Sequence, residues 1–479
     1  MNNLFRKKGA VILLLVMILG LGLRIYDLAE EDLWLDEYAS LKYSSLTKAD
    51  PGNVPLYYVT LHYWKNIFGS STFALRLLSV IFDSMSIILL YILGKKLFKE
   101  KIALFACFLL STSVFHLVYS QEVRVYGTLG FFAIVSYLLL VKIIETHKLK
   151  YYMLYITIIT IIHYFHTTGV VLLLFNFVMF FILNKKRQNI KIWIVSQIVI
   201  FILILPIISP FKRGVFAAIY RIINLVAPYE KIVAVGSLLI FLIVFLVILV
   251  NKSKIVDMVK LFYNKHFTQF YWVFIILFYT LYILLLGLIM TPFRMPFLRY
   301  SLIFSPILYL FISHGLFKIK KFRAVIIIFV VIVNSYSILS YYAITTKEPW
   351  SDAALFIETN EKNNDIILVD ASYMLGPFNY YYKGALPRIG LLTRSMKELD
   401  IKRNTKLYLN NFTKSMSNMS DKDIWLVLSH NLETEDYYKL LLDKYYVFIL
   451  EKHYKDIDLY YYKPKEDKIN ISEFSLDVD

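Results

Sequence analysis

The sequence predicts a polytopic α-helical membrane protein with a small α/β domain at its C-terminal end. Of its 479 residues, 58% are hydrophobic and only 18% are charged, which is more apolar than a single soluble core requires. Apolar runs of about twenty residues recur over the first three quarters of the chain, and each is long enough to cross a hydrocarbon layer of about 30 Å as a helix. Beyond these runs the sequence becomes polar. Together these observations exclude a protein held by one membrane anchor.

The apolar runs define about eleven transmembrane helices. The first run follows Arg6, Lys7 and Lys8 and is not closed by a small-residue cleavage site, so it is interpreted as a span and not as a signal peptide. An odd number of spans places the two termini on opposite sides of the membrane. The predicted spans are, roughly, 9–27, 76–97, 102–119, 124–144, 150–165, 167–184, 190–209, 231–250, 270–290, 299–316 and 323–344.

Positive charge along the chain predicts the orientation. A net charge of +17 would suggest a nucleic-acid partner for a soluble protein, but here Lys and Arg gather in every second connection between spans, so no nucleic-acid partner is predicted. The positive-inside rule then places the N-terminus in the cytoplasm and the C-terminal domain outside the plasma (inner) membrane. The basic connections are 95–101, 147–150, 185–187, 252–260 and 318–323.

Two domains are predicted. Residues 1–345 form the transmembrane catalytic domain, with a first extracytoplasmic loop at 28–75, and residues 346–479 form the extracytoplasmic α/β domain. The tyrosine runs 380–382 and 460–462 are interpreted as strand aromatics on a half-buried sheet, with contact to carbohydrate or lipid headgroups as the alternative. The elements predicted in this domain are a helix at 351–360, strands at 365–369 and 424–428, and a helix at 433–444.

The first extracytoplasmic loop is the first candidate site. It is far longer than a helical hairpin requires and carries Asp36 and Glu37 directly after an apolar span, near the level of a lipid headgroup. A carboxylate at this level can act as a base towards a hydroxyl, and cations nearby can stabilise the charge of a departing phosphate. A solvated acidic pair is the alternative interpretation of these two residues. Cys107, the sole cysteine, lies within an apolar run, so cysteine chemistry is not expected.

Arginines at the extracytoplasmic ends of spans are the second candidate. Arg76, Arg124 and Arg299 lie there against the positive-inside trend. A guanidinium group can bind two phosphate oxygens at once in a bidentate contact. Snorkelling to the interface is the alternative for any one of them. His163 and His166 are predicted as metal ligands or hydroxyl partners, or as structural residues. Basic residues also lie after the seventh span, where contact with an acidic substrate and a lipid-facing role are equally supported: Lys212, Arg213 and Arg221.

Several segments occur in an order that resembles one superfamily. They are Trp34-Leu35-Asp36-Glu37, Val54-Pro55-Leu56-Tyr57-Tyr58 running to Phe68-Gly69, Ala74-Leu75-Arg76-Leu77-Leu78-Ser79, Tyr119-Ser120-Gln121-Glu122-Val123-Arg124-Val125-Tyr126, His163-Tyr164, Arg299-Tyr300 ahead of Pro306, and Pro349-Trp350-Ser351-Asp352. The sequence resembles the glycosyltransferase-C superfamily, in particular membrane proteins related to protein O-mannosyltransferases and to the lipid A aminoarabinose transferase. The resemblance implies a fold of eleven or more helices.

The resemblance also implies roles for individual residues. Asp36 is the expected catalytic base, and Glu37 positions it or binds a cation. Arg76, Arg124 and Arg299 are the expected phosphate-binding residues. Further substrate contacts are implied for Glu122, Tyr126, His163, Tyr300 and Tyr57.

The implied partners are a polyprenyl-phosphate sugar as donor, membrane lipid, and a protein, lipid or glycan acceptor. No cofactor is required by the residues themselves, and a divalent cation is left open, since Asn53 stands where relatives often have His before the first-loop proline. The transferred sugar, whether hexose or pentose, is not predicted. A transporter or flippase of lipid-linked sugars, a silent scaffold, and transfer of a phosphoethanolamine or acyl group are the other functions considered. Transporters generally place ionisable residues near the membrane midplane, often in repeated halves.

Overall fold

The computed structural model describes residues 2–45, 56–184, 188–207, 297–370, 372–391, 421–429 and 435–465. The chain divides into two compact units. The helical unit comprises residues 1–26 and 43–341, and the sheet unit comprises residues 27–42 and 342–479. Part of the segment predicted as the first extracytoplasmic loop therefore groups with the C-terminal residues. The domain boundaries drawn from the sequence stay a prediction.

The helical unit is built from apolar helices. Among the helices that the structure describes, five are long and apolar enough to cross a membrane, and the pair α5 and α6, bent by 56° at Ser113, would form a sixth span. This confirms a membrane protein. The helices are α1 (Asn2–Ile25), α2 (Leu35–Tyr43, mostly in the sheet unit), α3 (Leu56–Phe68), α4 (Thr72–Leu97), α5 (Glu100–Thr112), α6 (Val114–Ser120), α7 (Tyr126–Thr146), α8 (Leu149–Phe165), α9 (Gly169–Leu183), α10 (Ile190–Ile204), α11 (Ser305–Lys318) and α12 (Arg323–Ala343).

Most predicted spans correspond to described helices. Outside the described residues lie the predicted spans 231–250 and 270–290, so the number of spans stays a prediction. The basic residues 212, 213 and 221 also lie outside them. The predicted span 299–316 instead begins as a 3-10 helix, Phe297–Ile303, and continues as α11. Pro306 explains the change, because a proline fits the first turn of an α-helix but not its interior.

Close contact between α4 and α7 brings two chemically important segments together. A Cβ atom at Gly127 on α7 would lie 3.0 Å from the carbonyl oxygen of Ser79 on α4. A Cβ atom at this distance would be tighter than most real contacts, so glycine favours the close approach, as in many packed membrane helices. Ser79 consequently lies beside the segment that precedes α7.

The described residues of the sheet unit form a mixed five-stranded sheet in the order β2-β1-β3-β5-β4. Strands β2, β1 and β3 run parallel, with Leu368 paired to Ile389 and Leu426, and β5 runs antiparallel to β3. Apolar clusters cover both faces of the sheet. Its elements are α13 (Trp350–Asn360), β1 (Ile366–Asp370), α14 (Leu375–Tyr381), β2 (Arg388–Gly390), β3 (Ile424–Ser429), α15 (Glu435–Tyr445), β4 (Tyr446–Tyr454) and β5 (Ile457–Pro464).

The tyrosine runs of this unit have different environments. Tyr460, Tyr461 and Tyr462 are buried on β5, as the strand interpretation predicts. That interpretation is wrong for residues 380–382, which lie at the C-terminal end of α14. Pro377 accounts for the difference. A proline is tolerated in the first turn of a helix, whereas in a strand it cannot donate a ladder hydrogen bond.

Candidate functional site

Five residues of the helical unit form what we name the arginine–tyrosine cluster: Arg124, Tyr126, His166, Arg299 and Tyr300. The guanidinium carbons of Arg124 and Arg299 lie 5.8 and 5.7 Å from the centroid of the Tyr126 ring. An Arg299 Nη1 donor also lies 3.4 Å from the Tyr126 hydroxyl. The ring of Tyr300 lies 6.0 Å from that of Tyr126. Two positive charges thus converge on one aromatic ring, an arrangement suited to binding an anion.

His166 contributes a hydrogen-bond donor to this cluster. Its ring lies 5.4 Å from Tyr300 and 6.1 Å from Tyr126. It lies in the connection between α8 and α9, where burial and the positive charges of Arg124 and Arg299 lower its pKa to about 3. The backbone N–H of Thr168 donates to Nδ1 over 3.1 Å, so the neutral ring carries its proton on Nε2. His166 is therefore a neutral donor at physiological pH.

The segment that carries Glu122 and Arg124 is held by side chains of neighbouring helices. The Ser79 hydroxyl on α4 lies 2.7 Å from the Glu122 carbonyl oxygen and 3.0 Å from that of Arg124. The amide of Gln121 donates to the carbonyl of Tyr26 over 2.8 Å and to that of Arg24 over 3.1 Å. Tyr341 donates to the other end of the Gln121 amide over 2.7 Å. The position of Arg124 is consequently fixed from α1, α4 and α12.

A buried charge network that was not predicted from the sequence links α1, α4 and α6. Arg24 donates through Nε to Asp83 over 2.7 Å, and the His116 ring contacts the other oxygen of Asp83 over 2.7 Å. His116 also bonds to the hydroxyl of Ser305 at 2.8 Å. Arg24, Asp83 and His116 have no exposed surface. These residues could have been recognised from the sequence, because they are ionisable and lie within apolar runs. Ionisable residues are rare in membrane helices unless they are paired or functional.

The acidic residues before Asp36 are held within the sheet unit. The Glu31 carboxylate accepts from the backbone N–H of Thr346 and, over 2.7 Å, from its hydroxyl. Asp32 accepts from the N–H of Ser351 over 2.6 Å and so caps the first turn of α13. Burial raises the pKa of Asp32 above its ordinary value, although the bond from Ser351 opposes this shift. These two acids therefore hold the segment in place.

Asp36 and Glu37 lie in the first turn of α2, where carboxylates interact favourably with the helix dipole. Leu33 fixes the entry to this helix, because its backbone N–H donates to the Tyr381 hydroxyl over 2.7 Å. Asp36 is half-buried, whereas Glu37 has no exposed surface and pairs with Lys347 at 3.3 Å. Two adjacent carboxylates thus have different surroundings.

The remaining predicted site residues all lie in the helical unit. Arg76 is buried on α4, one turn before Ser79, and Tyr57 is buried on α3. Glu122 is buried in the segment that Ser79 holds. His163 is buried on α8, where its Nδ1 donates to the carbonyl of Ile159 over 2.7 Å. The roles predicted for these residues, and for Asp36 and the arginines, stay predictions.

Metal binding was left open by the sequence, and the described part of the chain does not resolve it. Among those residues, no group of three or more His, Cys, Asp or Glu side chains is arranged to hold a metal ion. The described residues therefore do not fit a resident metal centre of that kind.

Comparison with known proteins relates this architecture to glycosyltransferases. Residues 51–211 match the family described as dolichyl-phosphate-mannose-protein mannosyltransferase. ArnT from Cupriavidus metallidurans in the apo state superposes with a TM-score of 0.56 at 11% identity, covering 95% of this chain and 98% of that chain. ArnT bound to undecaprenyl phosphate gives a TM-score of 0.53 at 10% identity, covering 94% and 97%.

A second protein with the same architecture is the oligosaccharyltransferase AglB from Archaeoglobus fulgidus. Its complex with an inhibitory peptide and a dolichol-phosphate superposes with a TM-score of 0.53 at 12% identity, covering 97% of this chain and 75% of that chain. Compared with curated proteins by sequence alone, the chain has no match. The family match and the shared architecture together relate the chain to the glycosyltransferase-C superfamily. The resemblance drawn from the sequence is thereby confirmed, while identities this low establish the fold alone.

Proposed function

We propose that this protein is an integral membrane glycosyltransferase that transfers a sugar from a polyprenyl-phosphate donor to an acceptor hydroxyl on the extracytoplasmic side. The observation that carries the proposal is the arginine–tyrosine cluster, in which Arg124 and Arg299 approach the Tyr126 ring within a glycosyltransferase-C fold. The related ArnT structure with undecaprenyl phosphate and the AglB structure with a dolichol-phosphate support a lipid-phosphate donor. The positive-inside pattern of the loops supports the orientation.

The chemistry divides between a base and a cationic phosphate site. Asp36 takes the proton of the acceptor hydroxyl as its oxygen bonds to the anomeric carbon of the sugar. The bond from that carbon to the phosphate oxygen breaks, and polyprenyl phosphate leaves with one additional negative charge. Arg124 and Arg299 stabilise this charge, with Arg76 as a further phosphate-binding residue. Because the leaving group is a phosphate, its departure requires no acid.

Substrate contacts are assigned to neighbouring residues. The Nε2 proton of His166 and the hydroxyls of Tyr126 and Tyr300 are donors for phosphate or sugar oxygens. Glu122, His163 and Tyr57 are further contacts on the basis of the resemblance. The acceptor is a protein, a lipid or a glycan, and the peptide complex of AglB supports the first of these.

The direct test is sugar transfer by purified protein reconstituted in liposomes. Radiolabelled polyprenyl-phosphate sugars are offered one at a time with an extract of host membranes, and wild type is compared with Asp36→Asn. We expect transfer from one donor, reduced by at least about a hundredfold in the variant, because general-base catalysis contributes roughly 10²–10⁴ in rate. Donor binding is expected to be retained.

Asp27→Asn is the matched control. Asp27 is an exposed acid of the same segment with a φ of 53°, a conformation that asparagine tolerates, so this variant is expected to transfer at the wild-type rate. Equal transfer by wild type and Asp36→Asn would remove Asp36 as the base. Absence of transfer from every donor would contradict the proposed function.

One observation favours a transporter as the second candidate. Asp83 lies near the middle of α4, a depth at which transporters place ionisable residues. However, its carboxylate contacts both Arg24 and His116, which suits a fixed structural link better than a changing binding site. Movement of labelled lipid-linked sugar across the liposome membrane without formation of product would favour transport.

A further inference from the structure

The proposed base lies beside a carboxylate that is fully buried and paired with a lysine. Glu37 has no exposed surface, and its Oε2 atom lies 3.3 Å from the Nζ atom of Lys347. The Lys347 side chain retains only 11% of its exposure. Removing a carboxylate from water is unfavourable for its charged form, and a nearby ammonium group offsets that penalty.

Lys347 is held where it meets Glu37 by a second contact between the same two segments. The backbone N–H of Lys347 lies 3.2 Å from the Glu31 carboxylate, which also accepts from the backbone and the hydroxyl of Thr346. Glu31 and Glu37 are six positions apart, so the residues around Lys347 are bound at both ends of the acidic segment. A lysine whose backbone is already held in this way loses less backbone entropy on pairing than one on a free loop.

Three further acidic residues lie in the two segments that form the pair. Asp36 precedes Glu37 on α2, Glu348 follows Lys347 and is buried, and Glu31 bonds to the backbone of the same segment. Repulsion among neighbouring carboxylates favours protonation of one of them. The Lys347 ammonium is therefore positioned to keep Glu37 ionised.

We propose that Lys347 is a positioning residue for the transfer reaction: its ammonium keeps Glu37 ionised and oriented, so that the adjacent Asp36 is presented as the base. The effect of Lys347 on the reaction rate rests on the proposed function. The pairing of Lys347 with Glu37 does not depend on that function. The C-terminal residues thereby take part in catalysis through the acidic segment and are more than an appended domain.

The pairing is tested first without any activity measurement. Infrared difference spectra are recorded at neutral pH between K347M and the double variant K347M/E37Q. We expect a band from a protonated carboxylic acid in K347M that is absent from K347M/E37Q, and no such band in the corresponding difference between wild type and E37Q. Absence of the band in K347M would overturn the proposal, whatever the outcome of the transfer assay.

The kinetic test uses conservative rescue and a matched lysine. We expect K347M to reduce kcat by about tenfold or more, with the KM for the donor changed less than about threefold, because a small misplacement of a catalytic group can cost about 10²-fold in rate. K347R, which retains the charge, should recover most of the rate. K455M is the control, since Lys455 lies in the same unit, is exposed and bonds to the neighbouring Thr345 carbonyl.

Wild-type kcat in K347M, or an equal loss in K347M and K455M, would overturn the positioning role. Equal thermal stability of K347M and K347R with unequal kcat would support it, since a merely structural role would change both properties together. If wild type transfers no sugar while the infrared band appears, the pairing stands and the proposed function fails.

Discussion

Two buried carboxylates, one in each unit, show how similar local chemistry serves different purposes. Asp83 in the helical unit contacts the guanidinium of Arg24 and the ring of His116, and all three residues lie on different helices. Glu37 in the sheet unit pairs with Lys347, next to the acid that the resemblance assigns to catalysis. Burial of charge alone does not identify a reactive residue, because the same burial also links helices in an apolar environment.

The largest expected effect tests the structural half of this comparison. Asp83→Ala leaves Arg24 buried without its counter-charge, and breaking a buried pair in this way costs about 3–5 kcal/mol of the free energy of unfolding. Thermal and denaturant unfolding of the purified protein in detergent measure the loss. Ser84→Ala, one position further on α4, is the control and should change stability by less than about 0.5 kcal/mol.

The double variant Arg24→Met with Asp83→Leu sharpens the same prediction. It removes both charges and replaces them with apolar groups, so it should recover much of the stability lost in Asp83→Ala. A single variant as stable as wild type would show that the network is not a structural link, and would return Asp83 to consideration as a functional residue.

The second effect concerns the arginine–tyrosine cluster. Arg299→Lys keeps the positive charge but loses the planar group that approaches the Tyr126 ring and the capacity for two parallel bonds to phosphate. A lost charge-assisted hydrogen bond is worth about 1.5–3 kcal/mol, so donor affinity should fall by roughly 10- to 100-fold. Equilibrium binding of a polyprenyl phosphate measures the change, with Arg124→Lys expected to behave similarly.

Arg323→Lys provides the control for this loss. Arg323 begins α12 and lies 5.5 Å from the centroid of the Phe317 ring, so it makes the same kind of ring contact away from the cluster. Its variant should bind donor as the wild type does. An equal loss in Arg323→Lys and Arg299→Lys would indicate a general effect of arginine on lipid binding and not a phosphate site.

The residues of the arginine–tyrosine cluster were predicted from the sequence better than the buried charge pairs were. Arg124 and Arg299 were identified because they interrupt the positive-inside pattern, and the structure brings both to Tyr126. His166 was predicted as a metal ligand, a hydroxyl partner or a structural residue, whereas Tyr126 and Tyr300, whose rings it approaches, were predicted as substrate contacts. Sequence order indicates which residues lie on one side of the membrane, but it does not indicate which rings meet.

The pairings of the buried charges were beyond the reach of sequence patterns. Arg24 and Asp83 are 59 positions apart, and Lys347 is more than 300 positions from Glu37. Apolar periodicity predicts that helices form, whereas partner choice between distant segments depends on packing that no local pattern encodes. The broken span at Ser113 and the helix that carries Tyr380 and Tyr381 show the same limit at the level of single elements.

A smaller effect is expected where Asp32 caps α13. Asp32→Ala removes the acceptor for the Ser351 N–H and should lower the free energy of unfolding by about 1 kcal/mol, which is typical of a lost helix cap. Asp32→Asn keeps an acceptor oxygen without burying a charge, so its loss should be smaller. Thermal unfolding compares the two, and a larger loss in Asp32→Asn than in Asp32→Ala would contradict the capping role.

The smallest effect is expected at an exposed ion pair. This pair serves as the comparison for the buried pair of Arg24 and Asp83. Lys96 on α4 lies 2.5 Å from Glu145 on α7, but the two side chains remain 22% and 43% exposed. Solvent screens such a pair, so Glu145→Gln should cost less than about 1 kcal/mol despite the short distance. Unfolding at low and high salt measures it, and the loss should shrink as salt rises. If Glu145→Gln cost as much as Asp83→Ala, distance and not burial would determine the contribution of a charge pair in this protein.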